Sequence, residues 1–214
     1  MKKDVKNVSM AVIRRLPKYH RRLKELMEKD VTRISSKELS TMIGFTASQI
    51  RQDLNCFGGF GQQGYGYDVA ELYGEISRIL GLTGVYNTII VGAGNLGQAI
   101  ANYSNFEKKG FHMLALFEKN PRLIGLQIRD IPVMDIEELE SFCSDKEVHI
   151  GIICTNKESA QDVADTLAKL PVKAIWNFAP ADIQVPESII LENVHLSDSL
   201  YIISYMLKMQ EMEE

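Results

Sequence analysis

The chain reads as an α/β protein in two parts. A short helical part closes on a glycine-rich hairpin, and a longer part is built as a doubly wound parallel sheet followed by a terminal helix. Three observations carry this. Charge is divided along the chain: residues 1–60 hold 13 Lys/Arg against 6 Asp/Glu, whereas residues 61–214 hold 11 against 22. Five of the fifteen glycines fall within residues 58–67. From residue 85 onward, β-branched runs alternate with helical stretches, the pattern of strands joined by crossover helices. With 214 residues and 45% hydrophobic content the chain can bury two cores, which excludes a disordered chain, a collagen-like fibre and a disulfide-stapled miniprotein. The expected boundaries are residues 1–82, 83–197 and 198–214.

No apolar run reaches the roughly 18 residues of a membrane span, and Met1-Lys2-Lys3-Asp4 precedes no apolar segment of the signal-peptide kind. Cys56, Cys143 and Cys154 are odd in number, and His20, His112, His149 and His195 have no metal-ligand spacing. A reduced, cytoplasmic protein without a metal site is expected, its thiols serving as small buried hydrophobes. A basic segment on an acidic body points to a polyanionic partner for the first part alone.

In the basic part, Ser9 is expected to cap a helix running to about Lys29, adjusted at Pro17. Val12, Ile13, Leu16, Tyr19, Leu23 and Leu26 recur at helical period, with Arg14, Arg15, Lys18, Arg21, Arg22 and Lys24 on the rest of its surface. Ser35-Ser36-Lys37-Glu38 is a capping box for a short second helix that stops at Gly44. Thr46-Ala47-Ser48-Gln49 reads as another box two residues later. It opens a helix with Ile50, Leu54 and Phe57 inward and Ser48, Gln49, Arg51, Gln52 and Asn55 outward.

Two short helices joined at a glycine, the second with a polar outer face, form a helix-turn-helix signature. Gln and Asn can donate and accept at base edges and Arg can donate there, so the second helix is the one suited to a major groove of double-stranded DNA. Ser36, Thr46 and Ser48 lie at helix starts, where amides and short hydroxyls can hold phosphate. The segment from Gly58 to Tyr67, with Phe60, Tyr65 and Tyr67 interleaved among its glycines, reads as a wing beside that helix rather than a plain linker. Gln62 and Gln63 would be its contacting residues. Asp68 caps a further helix that ends at Gly81, and Gly81-Leu82-Thr83-Gly84 is the expected joint.

In the acidic part, Val85–Val91 is a strand that runs into Gly92-Ala93-Gly94-Asn95-Leu96-Gly97 and then a helix from Gln98 to about Lys109. A second strand, Phe111–Phe117, ends at Glu118, 21 residues past Gly97. That context turns a weak G-x-G-x-x-G into a dinucleotide-binding fingerprint. Gly92 makes the turn, Gly94 admits the pyrophosphate, Gly97 lets helix and strand touch, and Glu118 accepts from ribose hydroxyls, favouring NAD(H) over the 2′-phosphorylated form. Further strands are expected at Val148–Cys154, Val172–Trp176 and Ile189–Leu196, with a helix over Lys157–Leu170. Asp198 is expected to cap the terminal helix, whose Leu200, Tyr201, Ile202, Ile203, Tyr205, Met206 and Leu207 are apolar on several sides and suit an interface.

Over essentially its full length the chain resembles the Rex family of redox-sensing transcriptional repressors of bacteria. The residues that carry the resemblance are Ile34–Phe57 with the wing through Tyr67, then Gly92–Gly97 with Tyr103, Asn177-Phe178-Ala179-Pro180, and the terminal helix. The resemblance implies an N-terminal winged helix and a C-terminal Rossmann domain. It also implies a homodimer that exchanges its terminal helices and binds a palindromic operator. Operator binding would be permitted by NAD⁺ and released by NADH. It implies no catalysis and no membrane association. Gly92, Ala93, Gly94, Asn95, Leu96 and Gly97 match the family's dinucleotide loop, and Glu118 stands where relatives carry an acid, usually Asp. Tyr103 matches a tyrosine of the sensing region, while Phe178, Ala179 and Pro180 would line the nicotinamide end. Arg21 matches an arginine that couples the two parts. The third coupling position, an Asp in relatives, is His195 here, with Asp198 as a candidate substitute. Gln52 and Gln63 stand where some relatives carry Lys and Arg. The alternatives are an NAD-dependent dehydrogenase, or a nucleotide- or CoA-binding protein with no DNA role.

Overall fold

The computed structural model describes residues 8–62 and 65–213. The chain falls into two compact units that part after Gly84.

The first unit begins with α1 (Met10–Ile13) and α2 (Leu16–Met27). The single long helix expected from Ser9 is broken at Arg14 and Arg15, because Pro17 at the start of α2 supplies no amide to the preceding turn. Ser9 takes the N-cap position, but its side chain makes no capping bond. β1 (Arg33–Ile34) leads to α3 (Ser36–Ile43), which opens on the complete Ser35/Glu38 box and closes at Gly44 with φ +80°. α4 (Ala47–Asn55) follows after two residues. Here the expected box is only half present. The Thr46 hydroxyl accepts from the Gln49 amide, but the Gln49 side chain reaches forward to Asp53 instead of back. Cys56 sits at the C-cap and Phe57 lies beyond the helix.

β2 (Gly61–Gln62) and β3 (Gly66–Asp68) form an antiparallel hairpin, and β1 adds to its other edge in the order β1-β3-β2. Gly66 is required there: φ is +71°, and a Cβ would stand 2.6 Å from the Ile34 carbonyl oxygen. Asp68 caps α5 (Val69–Ile79) by accepting from the Glu71 amide. Leu16, Tyr19, Leu23, Leu39, Ile50, Leu54, Leu72 and Ile76 bury together as the core of this unit.

The second unit is a sheet of order β10-β9-β8-β4-β5-β7-β6, assembled from β4 (Tyr86–Val91), β5 (Phe111–Glu118), β6 (Gln127–Ile128), β7 (Ile131–Asp135), β8 (Ile150–Ile153), β9 (Ala174–Asn177) and β10 (Ile190–Asn193). All pairings are parallel except β6–β7 at the edge. The edge hairpin was not foreseen; its strands are short and its turn uses Arg129 at φ +56°. α6 (Asn95–Asn102) packs on one face of the sheet, over Ile90, Leu116 and Ile152. α7 (Leu139–Asp145) and α8 (Lys157–Lys169) pack on the other, over Ile89, Val91, Phe117 and Ile153. β4 lies at the middle of the sheet, and its last four residues are buried, which explains the apolar Ile89-Ile90-Val91 that closes it.

Two helices depart from expectation. α6 starts at Asn95 and stops at Asn102, so Tyr103 is its C-cap, and Glu107–Lys109 is a separate 3-10 turn. α9 (Leu196–Glu213) starts earlier than foreseen, at the residue after His195. Asp198 therefore lies inside its first turn and does not cap it, and β10 stops at Asn193. From Asp198 to Met212 every residue of α9 is exposed, including Tyr201 at 69% and Ile202 at 62%.

Candidate functional site

The turn after β4 is built around two glycines that no other residue could replace without movement. Gly92 has φ +102°, and a Cβ there would lie 2.6 Å from the Cys154 carbonyl oxygen at the end of β8. A Cβ on Gly97 would lie 2.0 Å from the Gly92 carbonyl oxygen. Gly94, at the N-cap of α6, differs: nothing lies within 4 Å of its Cβ position, so its backbone faces open space. The first amides of α6 are directed there with the positive end of the helix dipole.

That space is the mouth of a cavity of about 350 Å³ lined by Gly92, Gly94, Glu118, Lys119, Thr155 and Asn156, among others. It lies at the carboxyl ends of β4, β5 and β8, where the crossovers diverge to the two faces, as in other open α/β sheets that bind ligands. Thr155 and Asn156 were not foreseen. Asn156 accepts from the Ser159 amide and caps α8, so a second helix N-terminus faces the same cavity. A polar cap directly after an apolar strand was the available signal.

Glu118 stands at the end of β5 as expected, but its carboxylate already has backbone partners. One oxygen accepts from the Ala93 amide at 2.8 Å, and the other accepts from Lys119 and Asn120 at 2.7 and 3.0 Å. Glu118 thus ties the glycine turn to the neighbouring strand. The oxygen bound to Ala93 keeps a lone pair for a hydroxyl donor. Cys154 borders the cavity half-buried, and burial pushes its thiol up to about 12, leaving an unreactive neutral group.

Phe178, Ala179, Pro180 and Tyr103 do not line that cavity. The 178–180 loop sits at the carboxyl end of β9, two strands from β4, roughly 10 Å away at the usual strand spacing. It is held in shape by Asn177, fully buried, which receives the Ala179 amide and donates to the Ala181 carbonyl and the Asn193 side chain. Tyr103 is half exposed, packs edge-on against Phe106 and accepts from Asn105. His195 pairs with Asp182 at 2.9 Å. No bond between His195 and Asp198 other than the backbone contact at the start of α9 is present among the described residues. Arg21 is exposed on α2 of the first unit.

In that unit Ser48, Arg51, Gln52 and Asn55 are exposed on α4, with Thr46 exposed before it. Arg51 donates to the Ser36 hydroxyl at 3.0 Å, so the start of α3 and the middle of α4 are joined along one polar edge. Gln49 is only half exposed. Gln63 lies outside the described residues, as does the side chain of Gln62. The sequence reading missed the buried carboxylate of Asp53, 1% exposed, which receives Arg15, Tyr19 and Gln49. Its signal was an acid at the helical spacing of Ile50 and Leu54, on the stripe that faces the core. Burial would raise this acid, but the hydrogen bonds from Arg15, Tyr19 and Gln49 outweigh that and hold it below the ordinary carboxylate value.

A winged helix-turn-helix unit joined in one chain to a Rossmann-type unit with an open glycine turn defines the class. Comparison with known proteins agrees in both halves. Residues 7–55 match the family model "Putative DNA-binding protein N-terminus", and residues 83–181 match the CoA binding domain. The redox-sensing transcriptional repressor Rex of Caldanaerobacter subterraneus subsp. tengcongensis is 63% identical over 205 residues, covering 96% of this chain and 92% of that protein. The Rex of Clostridium novyi is 62% identical over 202 residues, covering 94% and 96%. The crystal structure of RSP in complex with β-NAD⁺ and operator DNA aligns with a TM-score of 0.90 at 62% identity, covering 96% of this chain and 94% of that one. RSP in complex with β-NADH aligns equally well at 59% identity, covering 96% and 97%. The chain belongs to the Rex family.

Proposed function

We propose that this chain is a redox-sensing transcriptional repressor. It binds operator DNA through its first unit, takes NAD(H) in its second, and leaves the operator when the dinucleotide is reduced. The observation that carries the reading is the pairing of an exposed polar α4 with an open dinucleotide turn in one chain whose relatives have been solved with operator DNA, NAD⁺ and NADH.

The residues fit the dinucleotide. The open backbone at Gly94 and the amides of Asn95 and Leu96 would take the pyrophosphate, with Ala93 and Gly97 fixing the turn. Glu118 would receive the adenosine ribose, and its charge disfavours a 2′-phosphate there. The 178–180 loop and Tyr103 would meet the nicotinamide end. The bound dinucleotide supplies a ring that carries a positive charge when oxidised and none when reduced. Phe178 would give that end an apolar lining that penalises the charged form, with Ala179, 1% exposed, packed in the core behind it. A site responds to the redox state only through such a difference in interaction energy. About 1–3 kcal/mol of coupling corresponds to a 5–150-fold change in operator affinity.

A homodimer reading two half-sites is the arrangement that makes small displacements matter, since the half-sites must stay about 34 Å apart. Two uncovered apolar surfaces support exchange of the terminal helices. α9 exposes Leu200, Tyr201, Ile202, Ile203 and Tyr205. On the α6 side of the sheet, Phe106, Met113, Ile150, Ile152, Trp176 and Ile190 line an apolar hollow of about 310 Å³. It remains because the described connection from β9 to β10 contains no helix. Arg21, Tyr103 and His195 are the residues assigned to coupling, with His195 held through Asp182 rather than Asp198.

The dinucleotide here is a signal and not a co-substrate, in keeping with relatives named as repressors. Titrating NADH into a preformed complex with a palindromic duplex tests the reading. Release by NADH but not by NAD⁺ is expected; a complex indifferent to both would overturn it.

A further inference from the structure

We propose that Gln49 reads an adenine in each operator half-site and that Asp53 fixes which way the Gln49 amide faces; this rests on the reading of α4 as the helix that enters the major groove.

The Asp53 carboxylate is fully used. One oxygen accepts from Arg15 Nη2 at 2.7 Å and Gln49 Nε2 at 2.8 Å; the other accepts from Arg15 Nε at 2.6 Å and the Tyr19 hydroxyl at 2.7 Å. Four donors match the roughly four lone-pair sites of a carboxylate. Asp53, 1% exposed, thus has no capacity left for DNA. Its role is exerted on its neighbour.

Gln49 can meet a carboxylate only with its amino end, because its carbonyl oxygen would face another acceptor. An amide's last torsion is broad and two-fold, so an untethered Gln can present either orientation. Here the choice is made in advance. Arg15 and Tyr19 belong to the α1–α2 junction and α2, so the anchor is part of the folded core and does not wait for DNA.

One N–H of Gln49 is spent on Asp53. With the N–H remote from the amide oxygen given to Asp53, the remaining N–H and the carbonyl oxygen stand side by side in one plane; among the described residues neither has another partner. A donor beside an acceptor complements the major-groove edge of adenine, where N7 accepts and the N6 amino group donates. Guanine shows two acceptors there, so its O6 would face the glutamine oxygen. Gln49 is the third residue of α4, in the first turn, the part of a recognition helix that reaches base edges.

The test begins with operators selected from a randomised duplex library by the full-length chain. Affinities are then measured for every single base-pair substitution, with the wild type, Gln49→Ala and Asp53→Asn. The wild type is expected to prefer adenine at one position of each half-site by roughly 5–150-fold. Replacing that adenine by 7-deazaadenine, which lacks the N7 acceptor, should remove a large part of the preference. Gln49→Ala should flatten that position and no other. Asp53→Asn, whose amide can offer Gln49 either end, should narrow the discrimination between adenine and guanine at the same position. If thermal melting shows that Asp53→Asn does not fold, Gln49→Ala and the deaza duplex decide the matter. An unchanged profile for Gln49→Ala, or flattening at a position that is not adenine, overturns the inference. A wild type that selects no sequence at all defeats the groove-reading of α4, and the inference with it.

Discussion

Gly97→Ala should separate the two activities proposed for this chain. The added Cβ would lie 2.0 Å from the Gly92 carbonyl oxygen and 3.4 Å from the Ile90 side chain. A carbon next to a carbonyl oxygen needs about 3.3 Å, so α6 must withdraw from the turn by roughly 1.3 Å. Both colliding atoms belong to the glycine turn, so the start of α6 and the open backbone at Gly94 shift together. Hydrogen bonds to a charged group contribute about 1.5–3 kcal/mol each. Losing one from the α6 amides should raise the Kd for NADH by roughly 10–100-fold. Fluorescence titration with NADH measures that loss, and a parallel titration of operator DNA without dinucleotide should stay near the wild type, since Gly97 lies in the second unit. An NADH affinity within twofold of the wild type would refute the assignment of the turn.

Arg51→Ala should weaken operator binding, lower the slope of log affinity against log salt by about one, and leave NADH affinity unchanged; parallel loss of both would mean misfolding. Acid should loosen the first unit through Asp53. Its carboxyl lies below the ordinary value when folded, against about 3.9 when unfolded, so its stabilisation is present above about pH 4 and fades as pH falls through the lower folded value. Thermal melts from pH 7 to pH 3 should show this decline, and Asp53→Asn should flatten it; identical slopes would contradict the role of the Arg15–Asp53 pair. Removing residues 200–213 should abolish dimerisation, read as a halved mass by light scattering, because the apolar side chains of α9 would then be gone; an intact dimer would remove α9 from the interface.

The parts of the fold with local causes were legible in the residues. Ser35 with Glu38, Gly44 and Asp68 mark helix ends through bonds made within four residues, and each is found as read. The β-branched Thr88-Ile89-Ile90-Val91 announced a central strand because burial on both faces favours such residues at successive positions. What was hidden depends on partners distant in sequence. Asp53 stands one helical turn beyond Gln49, but that its carboxylate is held by Arg15, 38 residues earlier, is not visible locally. Glu118 was read toward a ligand, but its greater reach also lets it bind the Ala93 amide, 25 residues away. The break between α1 and α2 is half visible in the residues, since Pro17 marks its place but not that the preceding turn separates as a helix of its own. α9 reads long and early because Leu196 and Ser197 continue its helix, while Asp198 satisfies a cap pattern one turn too late.

On the proposed function, the dinucleotide turn and the DNA-reading surface share one free energy of coupling. Linkage requires that coupling to be mutual. The Kd for NADH should therefore be measured calorimetrically with and without saturating operator duplex, and the Kd for operator with and without saturating NADH. Both ratios should be equal and lie between about 5 and 150. An NADH affinity that is the same on and off the operator would contradict that coupling.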